Sequence, residues 1–263
     1  MEILPSSYNY ILFLSFDFDA ETAEVLRGAD PVELSKGRYG ARKAIYKILD
    51  LLDEYGLKVT FFVPGWVAEK YPEAIAEIMK RGHEVAGHGY LHERLDELKP
   101  KENEEAVFDK MEKAIASVTG AKPSGFRAPY WRWSDSTLDI LASRGYIYDS
   151  SLMDDDEPYV IERNGTYIVE LPVDWRLDDW PYLEQRRSLT PSQLLEMWLE
   201  EIEYAYENKG YLALTMHPQC IGRGARINVL RKIIEKALDT GAWIPRGIDL
   251  ANHVLRALGL TTP

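Results

Sequence analysis

Cysteine is nearly absent. The single Cys220 in 263 residues excludes an intramolecular disulfide and a cysteine-rich zinc site. It stands three residues from His217, but no second cysteine or activating base accompanies it, so it reads as a small packed side chain. Basic residues are in deficit, 31 Lys plus Arg against 43 Asp plus Glu, for a formal net charge of -12. Such a surface repels phosphate backbones and anionic lipid, so neither nucleic acid nor a membrane surface is an expected partner. Arg186-Arg187 and Arg231-Lys232 are pairs, not a patch that would offset this. Long apolar runs are missing too. Tyr10 to Phe16 is too short to span a bilayer, no basic residue precedes it, and an acidic stretch rather than a small-residue cleavage site follows. That run reads as a buried first strand and the chain as cytoplasmic. No repeat, linker or low-complexity segment interrupts a sequence that is 46% hydrophobic with 14 prolines, as a packed globule requires.

What is present is an alternation of short apolar runs with longer amphipathic ones. Strands are expected at 11–16, 58–63, 83–86, 146–148, 166–173 and 211–216, with Asn164-Gly165 as a hairpin turn. Helices are expected at 38–55, 72–81, 101–119, 134–144, 192–208, 225–240 and 249–258. Strand and helix in turn, without a break in composition, predict one α/β domain over 1–263 on a parallel or barrel-like sheet. The final helical segment, 225–258, has an apolar face that would complete the barrel or pair subunits; a homo-oligomer is the corresponding partner expectation.

The polar residues that stand out all fall at strand ends, where active groups gather in parallel α/β folds. Asp17 and Asp19 end the first strand, and an extended backbone points both to one face. His88 and His92 follow the 83–86 strand at i, i+4, within reach of one ion if the segment turns helically. His217 closes the 211–216 strand, and Arg127 and Tyr130 follow the apolar stretch around Phe126. Each has a duller explanation, as a turn, a cap or a hydrogen-bonded structural residue. Their co-occurrence at one rim is what points to a mononuclear hydrolytic metal site: two imidazoles, one carboxylate, and a second carboxylate left over as a base. His83 and His253 lie outside the pattern and read as structural.

Five segments, in order, resemble the motifs of carbohydrate esterase family 4, the NodB-like polysaccharide deacetylases. They are SFDFDAE at 15–21, HGYLHERL at 88–95, FRAPYW at 126–131, VDWRLDDW at 173–180 and LALTMHP at 212–218. The likeness spans about residues 10 to 220. It departs in the first motif, where Phe18 separates two aspartates that the family usually has adjacent. The split aspartates, the HGYLHE form and the MHPQ ending look most like a branch without signal peptides. That branch includes intracellular-type peptidoglycan deacetylases and relatives acting on cyclic imides and allantoin.

The resemblance implies a distorted (β/α) barrel with seven or eight strands and one divalent metal, zinc before Co²⁺, Ni²⁺ or Mn²⁺, on Asp19, His88 and His92. It implies Asp17 as the general base, held ionised by Arg127, the Tyr130 N–H as an oxyanion donor, and His217 as the general acid. Of Asp174, Asp178 and Asp179, the carboxylate expected to tune His217 is Asp178, which ends the Val-x-x-x-Leu stretch. Trp131 and Leu212 are expected to wall the acyl pocket. The expected reaction is removal of an N-acetyl group from an amino sugar in a glycan. Hydrolysis of a small cyclic imide or allantoin-like amide is the alternative. A non-catalytic barrel is a third reading, disfavoured because every matched position holds a competent residue type.

Overall fold

The computed structural model describes residues 3–99 and 101–260, so the expected domain limits 1 and 263 lie outside the described residues. Among the described residues nine strands form one sheet: β1 (Tyr10–Asp17), β2 (Thr60–Val63), β3 (Glu84–Gly87), β4 (Gly125–Phe126), β5 (Tyr148–Asp149), β6 (Tyr159–Arg163), β7 (Thr166–Glu170), β8 (Tyr211–Met216) and β9 (Ala242–Trp243). Their order is β6-β7-β5-β4-β3-β2-β1-β8, with β9 added to β1. All pairings are parallel except the β6/β7 hairpin, whose turn residues Asn164 and Gly165 both adopt positive φ, 53° and 75°. The path has two ends, β6 and β8, so the sheet is a distorted barrel not closed by hydrogen bonds. The resemblance implied seven or eight strands; of the nine, β4, β6 and β9 were not among those read from the apolar pattern, and β4 and β9 are only two residues long.

Every residue of β1 is buried, and its two-residue period sorts side chains between two cores. Tyr10, Leu12, Leu14 and Phe16 pack outward on Ile45, Ile48, Leu49 and Leu52 of the helix Ile45–Glu54 and on Leu230 and Ile233 of Ile227–Asp239. Ile11 and Phe13 point inward with Phe62, Ala86, Tyr148, Val169 and Ala213. Ser15 and Asp17 continue that inward row toward the carboxyl end of the strand. Each large apolar side chain so buried contributes about 1.5–3 kcal/mol before conformational entropy is charged against it.

The other end of the interior is plugged by the helix Gly247–Ala257, through Leu250, Ala251, Val254 and Leu255. Thr60 Oγ1 accepts from Gly247 N and Glu84 Oε2 from Ile248 N, while Tyr148 donates to Glu84 Oε1. The C-terminal segment therefore completes the barrel interior. Two helices not anticipated, Thr22–Leu26 and Pro31–Tyr39, frame the loop after β1; the second lacks apolar periodicity and is started by Asp30, which caps Val32 and Glu33 ahead of Pro31. No helix among the described residues is long and apolar enough to cross a membrane.

Candidate active site

Asp17 closes β1 and Asp19 lies just past it, with Phe18 between them buried and its N–H given to Phe62 O. The alternation that buries Phe18 turns both carboxylates to the cleft. His88 and His92 do not sit on a helix: the 88–92 segment is an irregular loop, and His92 reaches the site by adopting φ 63°. A left-handed turn replaces the expected helical one, because Gly89, also at positive φ, and Glu93, which accepts from Tyr90 N and Leu91 N, fold the loop back on itself. Of the seven non-glycine residues at positive φ among the described residues, His92, Tyr130, Trp131 and Arg187 line the cleft and Ala20 directly follows Asp19, as expected where surrounding contacts hold backbone strain.

Oxygens of Asp19 stand 3.5 Å from His88 Nε2, 3.5 Å from His92 Nε2 and 3.4 Å from His217 Nε2. Asp19, His88 and His92 each offer one ligand atom, mutually within 4.8 Å. Asp19 Oδ1 and His88 Nε2 are buried without a hydrogen-bond partner, a costly arrangement for apposed donor atoms unless a cation joins them. His88 Nδ1 lies 2.8 Å from the Arg127 carbonyl, which can only accept, so the proton is on Nδ1 and the Nε2 lone pair faces Asp19. Burial holds both imidazoles below their ordinary pKa, His92 at about 4, and so in the neutral form that ligates. The donor set fits a divalent ion.

Two ion pairs flank this centre. Arg127 Nη1 donates to Asp17 Oδ1 at 2.7 Å, Nε to Ser150 O at 3.0 Å and Nη2 to Ser150 Oγ at 2.9 Å. The guanidinium is fully buried over the Phe62 ring, 4.0 Å from its centroid. Burial alone would raise the Asp17 carboxyl, but Arg127, His88 and His217 outweigh it and hold it below the usual carboxylate value. On the other side, His217 Nδ1 donates to Asp179 Oδ1 at 2.8 Å. Burial would lower the His217 pKa; Asp178, Asp179 and Asp19 together hold it well above the histidine range.

Asp178, the carboxylate expected to tune His217, adds to that rise through its charge but does not hydrogen-bond the ring. Its Oδ1 is 3.5 Å from Nδ1 and is engaged by Trp180 N at 2.8 Å, whereas the fully buried Asp179 makes the hydrogen bond. A single parallel bridge, Asp178 to Thr215, lays this segment beside the end of β8 and so brings Asp179 to His217. Leu212 is also corrected. Counting back from His217 along β8, Leu212 has the opposite parity, and it packs in the outer core with Leu214 and Met216.

Tyr130 and Trp131 lie in the cleft wall, in a turn where Trp131 N and Arg132 N donate back to Ala128 O and Pro129 O while Tyr130 N makes no such bond. The Tyr130 ring meets His92 edge-on at 4.4 Å. The cleft encloses about 920 Å³, and Trp175, Trp180, Lys36 and Gln219 also line it. Trp175, Trp180 and Gln219 fall in the quoted motifs but were given no role there; Lys36 was not anticipated, nor were Ser150 and Ser151. Their only signal in the sequence is two small polar residues directly after a strand.

The polysaccharide deacetylase family model matches residues 38–148. A putative polysaccharide deacetylase from Mycobacterium smegmatis is 35% identical, covers 98% of this chain and 94% of its own, and superposes with a TM-score of 0.88. The chain belongs to the polysaccharide deacetylase family. A peptidoglycan deacetylase of Helicobacter pylori is 29% identical over 238 residues, 78% of this chain and 81% of that protein. An allantoinase, 21% identical over 98% of this chain and 94% of its own, shares the fold with a TM-score of 0.89. The spacer Phe18, just past β1, joins the same core as Phe16, which is how two aspartates separated in sequence serve one face.

Proposed function

We propose that this protein hydrolyses the acetamide of an N-acetylated amino sugar in a glycan, with one divalent metal, zinc first among the candidates. The observation that supports it is the convergence on Asp19 of His88 and His92, flanked by the Asp17–Arg127 and His217–Asp179 pairs. The relatives named as polysaccharide and peptidoglycan deacetylases support the same substrate class. An ion held by Asp19, His88 and His92 would act as a Lewis acid toward the amide oxygen and make water acidic enough to be used near neutral pH.

The chain's own residues carry the proton traffic. Asp17 accepts a proton from the attacking water, and Arg127 fixes the carboxylate in place and ionised. The N–H of Tyr130, unspent in its turn, donates to the developing oxyanion. His217 gives its Nε2 proton to the departing amine, while Asp179 holds Nδ1–H and so fixes which nitrogen faces the substrate. The cleft volume favours a glycan over a cyclic imide: about 920 Å³ lined by Trp131, Trp175 and Trp180 far exceeds a single five-membered ring.

Elemental analysis of the purified protein, followed by turnover of chitooligosaccharides and of succinimide-type compounds with and without chelator, tests the reading. Stoichiometric zinc and chelator-sensitive acetate release from the oligosaccharide support it. Preferred turnover of the imide transfers the function to the small-molecule amide. Zinc without hydrolysis of either class returns the protein to a non-catalytic role.

A further inference from the structure

Two carboxyl groups that the chemistry above does not use lie behind the site. Asp149 and Glu170 end β5 and β7, are register partners across that parallel pair, and are both fully buried. Among the described residues neither forms an ion pair within 4 Å, and Asp149 Oδ1, Asp149 Oδ2 and Glu170 Oε2 have no conventional hydrogen-bond partner. Two apposed carboxylates, desolvated and without a cation, cannot both stay ionised. One proton between Glu170 Oε2 and Asp149 resolves both the repulsion and the unfilled acceptors.

What the pair holds gives it a purpose. Glu170 Oε1 accepts from Ser151 N and Leu152 N, each at 2.9 Å. Ser151 Oγ in turn accepts from Ala128 N at 2.9 Å, and Ser150 presents its carbonyl and hydroxyl to Arg127. Two residues of backbone therefore connect Glu170 to the guanidinium that holds Asp17, and to the first residue of the turn that carries the Tyr130 N–H.

We propose that Asp149 and Glu170 share a single proton and act as positioning residues, holding the 150–152 segment so that Arg127 and the Ala128–Tyr130 turn are fixed against the reacting centre. Burial raises both groups, Asp149 to about 7 and Glu170 well above its ordinary value, while the Ser151 hydroxyl and the neighbouring Glu170 pull Asp149 back. The functional half of this inference rests on the proposed deacetylation; the proton-sharing half does not.

The experiment has two arms. Infrared spectra at pH 8 of wild type, Asp149→Asn and Glu170→Gln are compared for the C=O stretch of a protonated carboxyl. Loss of one such band in each variant is expected, and its absence from wild type overturns proton sharing whatever the substrate proves to be. In the kinetic arm, Glu170→Gln keeps an acceptor for both N–H groups and a donor toward Asp149, so its kcat stays within about threefold of wild type. Glu170→Ala and Ser151→Ala, the second a small change that keeps both carboxyl groups, lower kcat by about tenfold or more with KM and bound metal unchanged. Unchanged kcat in Ser151→Ala together with a folded, fully active Glu170→Ala overturns the positioning role. If wild type hydrolyses no acetamide, the infrared arm still decides on the proton.

Discussion

Asp179 takes two hydrogens from His217: the imidazole Nδ1–H at 2.8 Å and the backbone N–H at 3.1 Å. Ring and backbone of one residue are thus fixed to one buried carboxylate, and Nε2 is left aimed at Asp19, 3.4 Å away. Asp178, next in the chain, spends its oxygen on Trp180 N instead.

The neighbours should therefore separate kinetically. Asp179→Asn lowers kcat on an acetamide by about 10²-fold or more, the size of a general-acid contribution, whereas Asp178→Asn costs less than about tenfold. An activated acetate ester, whose leaving group needs no proton, should be spared in Asp179→Asn. Equal losses on both substrates would place Asp179 in structure and not in proton delivery.

The two aspartates of the first strand divide in the same manner. Asp17 is held by Arg127 at 2.7 Å, whereas among the described residues Asp19 meets only the imidazoles of His88, His92 and His217. Asp17→Asn is expected to keep bound metal and lose roughly 10²–10⁴-fold in rate. His88→Ala is expected to lose metal and rate together, read by elemental analysis beside the assay. Loss of metal in Asp17→Asn would mean the base and ligand roles are exchanged.

Much of this fold and site is legible in the sequence. β1, β8 and the long helices declared themselves by apolar period, and Asp17, Asp19, Arg127 and His217 by their place at strand ends. The misses have physical causes. The i, i+4 spacing of His88 and His92 is helical on paper, but Gly89 and the Glu93 carboxylate make a left-handed loop that no periodicity encodes. Asp178 and Asp179 differ only in which one an isolated bridge to Thr215 turns toward His217, a tertiary choice. Leu212 was misplaced although strand parity alone sets it opposite His217. The Ser151 hydroxyl and the Glu170 carboxyl accept from backbone N–H groups, and Ser150 meets Arg127 partly through its carbonyl; partners of that kind leave almost no trace in the sequence.

Gly37 offers a test of how the metal loop is held. A Cβ there would come 2.4 Å from Ala20 O and 2.5 Å from Glu21 Cα, so the helix Pro31–Tyr39 abuts the backbone just after Asp19. Gly37→Ala must push that loop or the helix aside, costing about 1–3 kcal/mol as overpacking does. Because the displaced backbone carries Asp19, metal affinity should fall with stability. Isothermal titration with zinc and a thermal melt of the apoprotein check this; a lower melting point with unchanged affinity would show that the helix yields and the loop does not.

Acid should find a weak point far from the cleft, at His83. Its Nδ1 accepts from Val59 N at 3.2 Å, which requires a neutral ring, and its buried Nε2 has no partner. Burial, with Lys58 as the next cause, lowers its pKa to about 4. A histidine depressed in the folded state lends stability that is full above its unfolded value, about 6.5, and is lost as pH falls through the folded one. Between those limits the loss is on the order of 1–3 kcal/mol, reduced where solvent reaches the ring. His83→Asn keeps an acceptor for Val59 N and cannot be protonated there, so its urea midpoint should decline less than that of wild type between pH 7 and pH 4. Parallel declines in the two proteins would assign the acid lability to other groups.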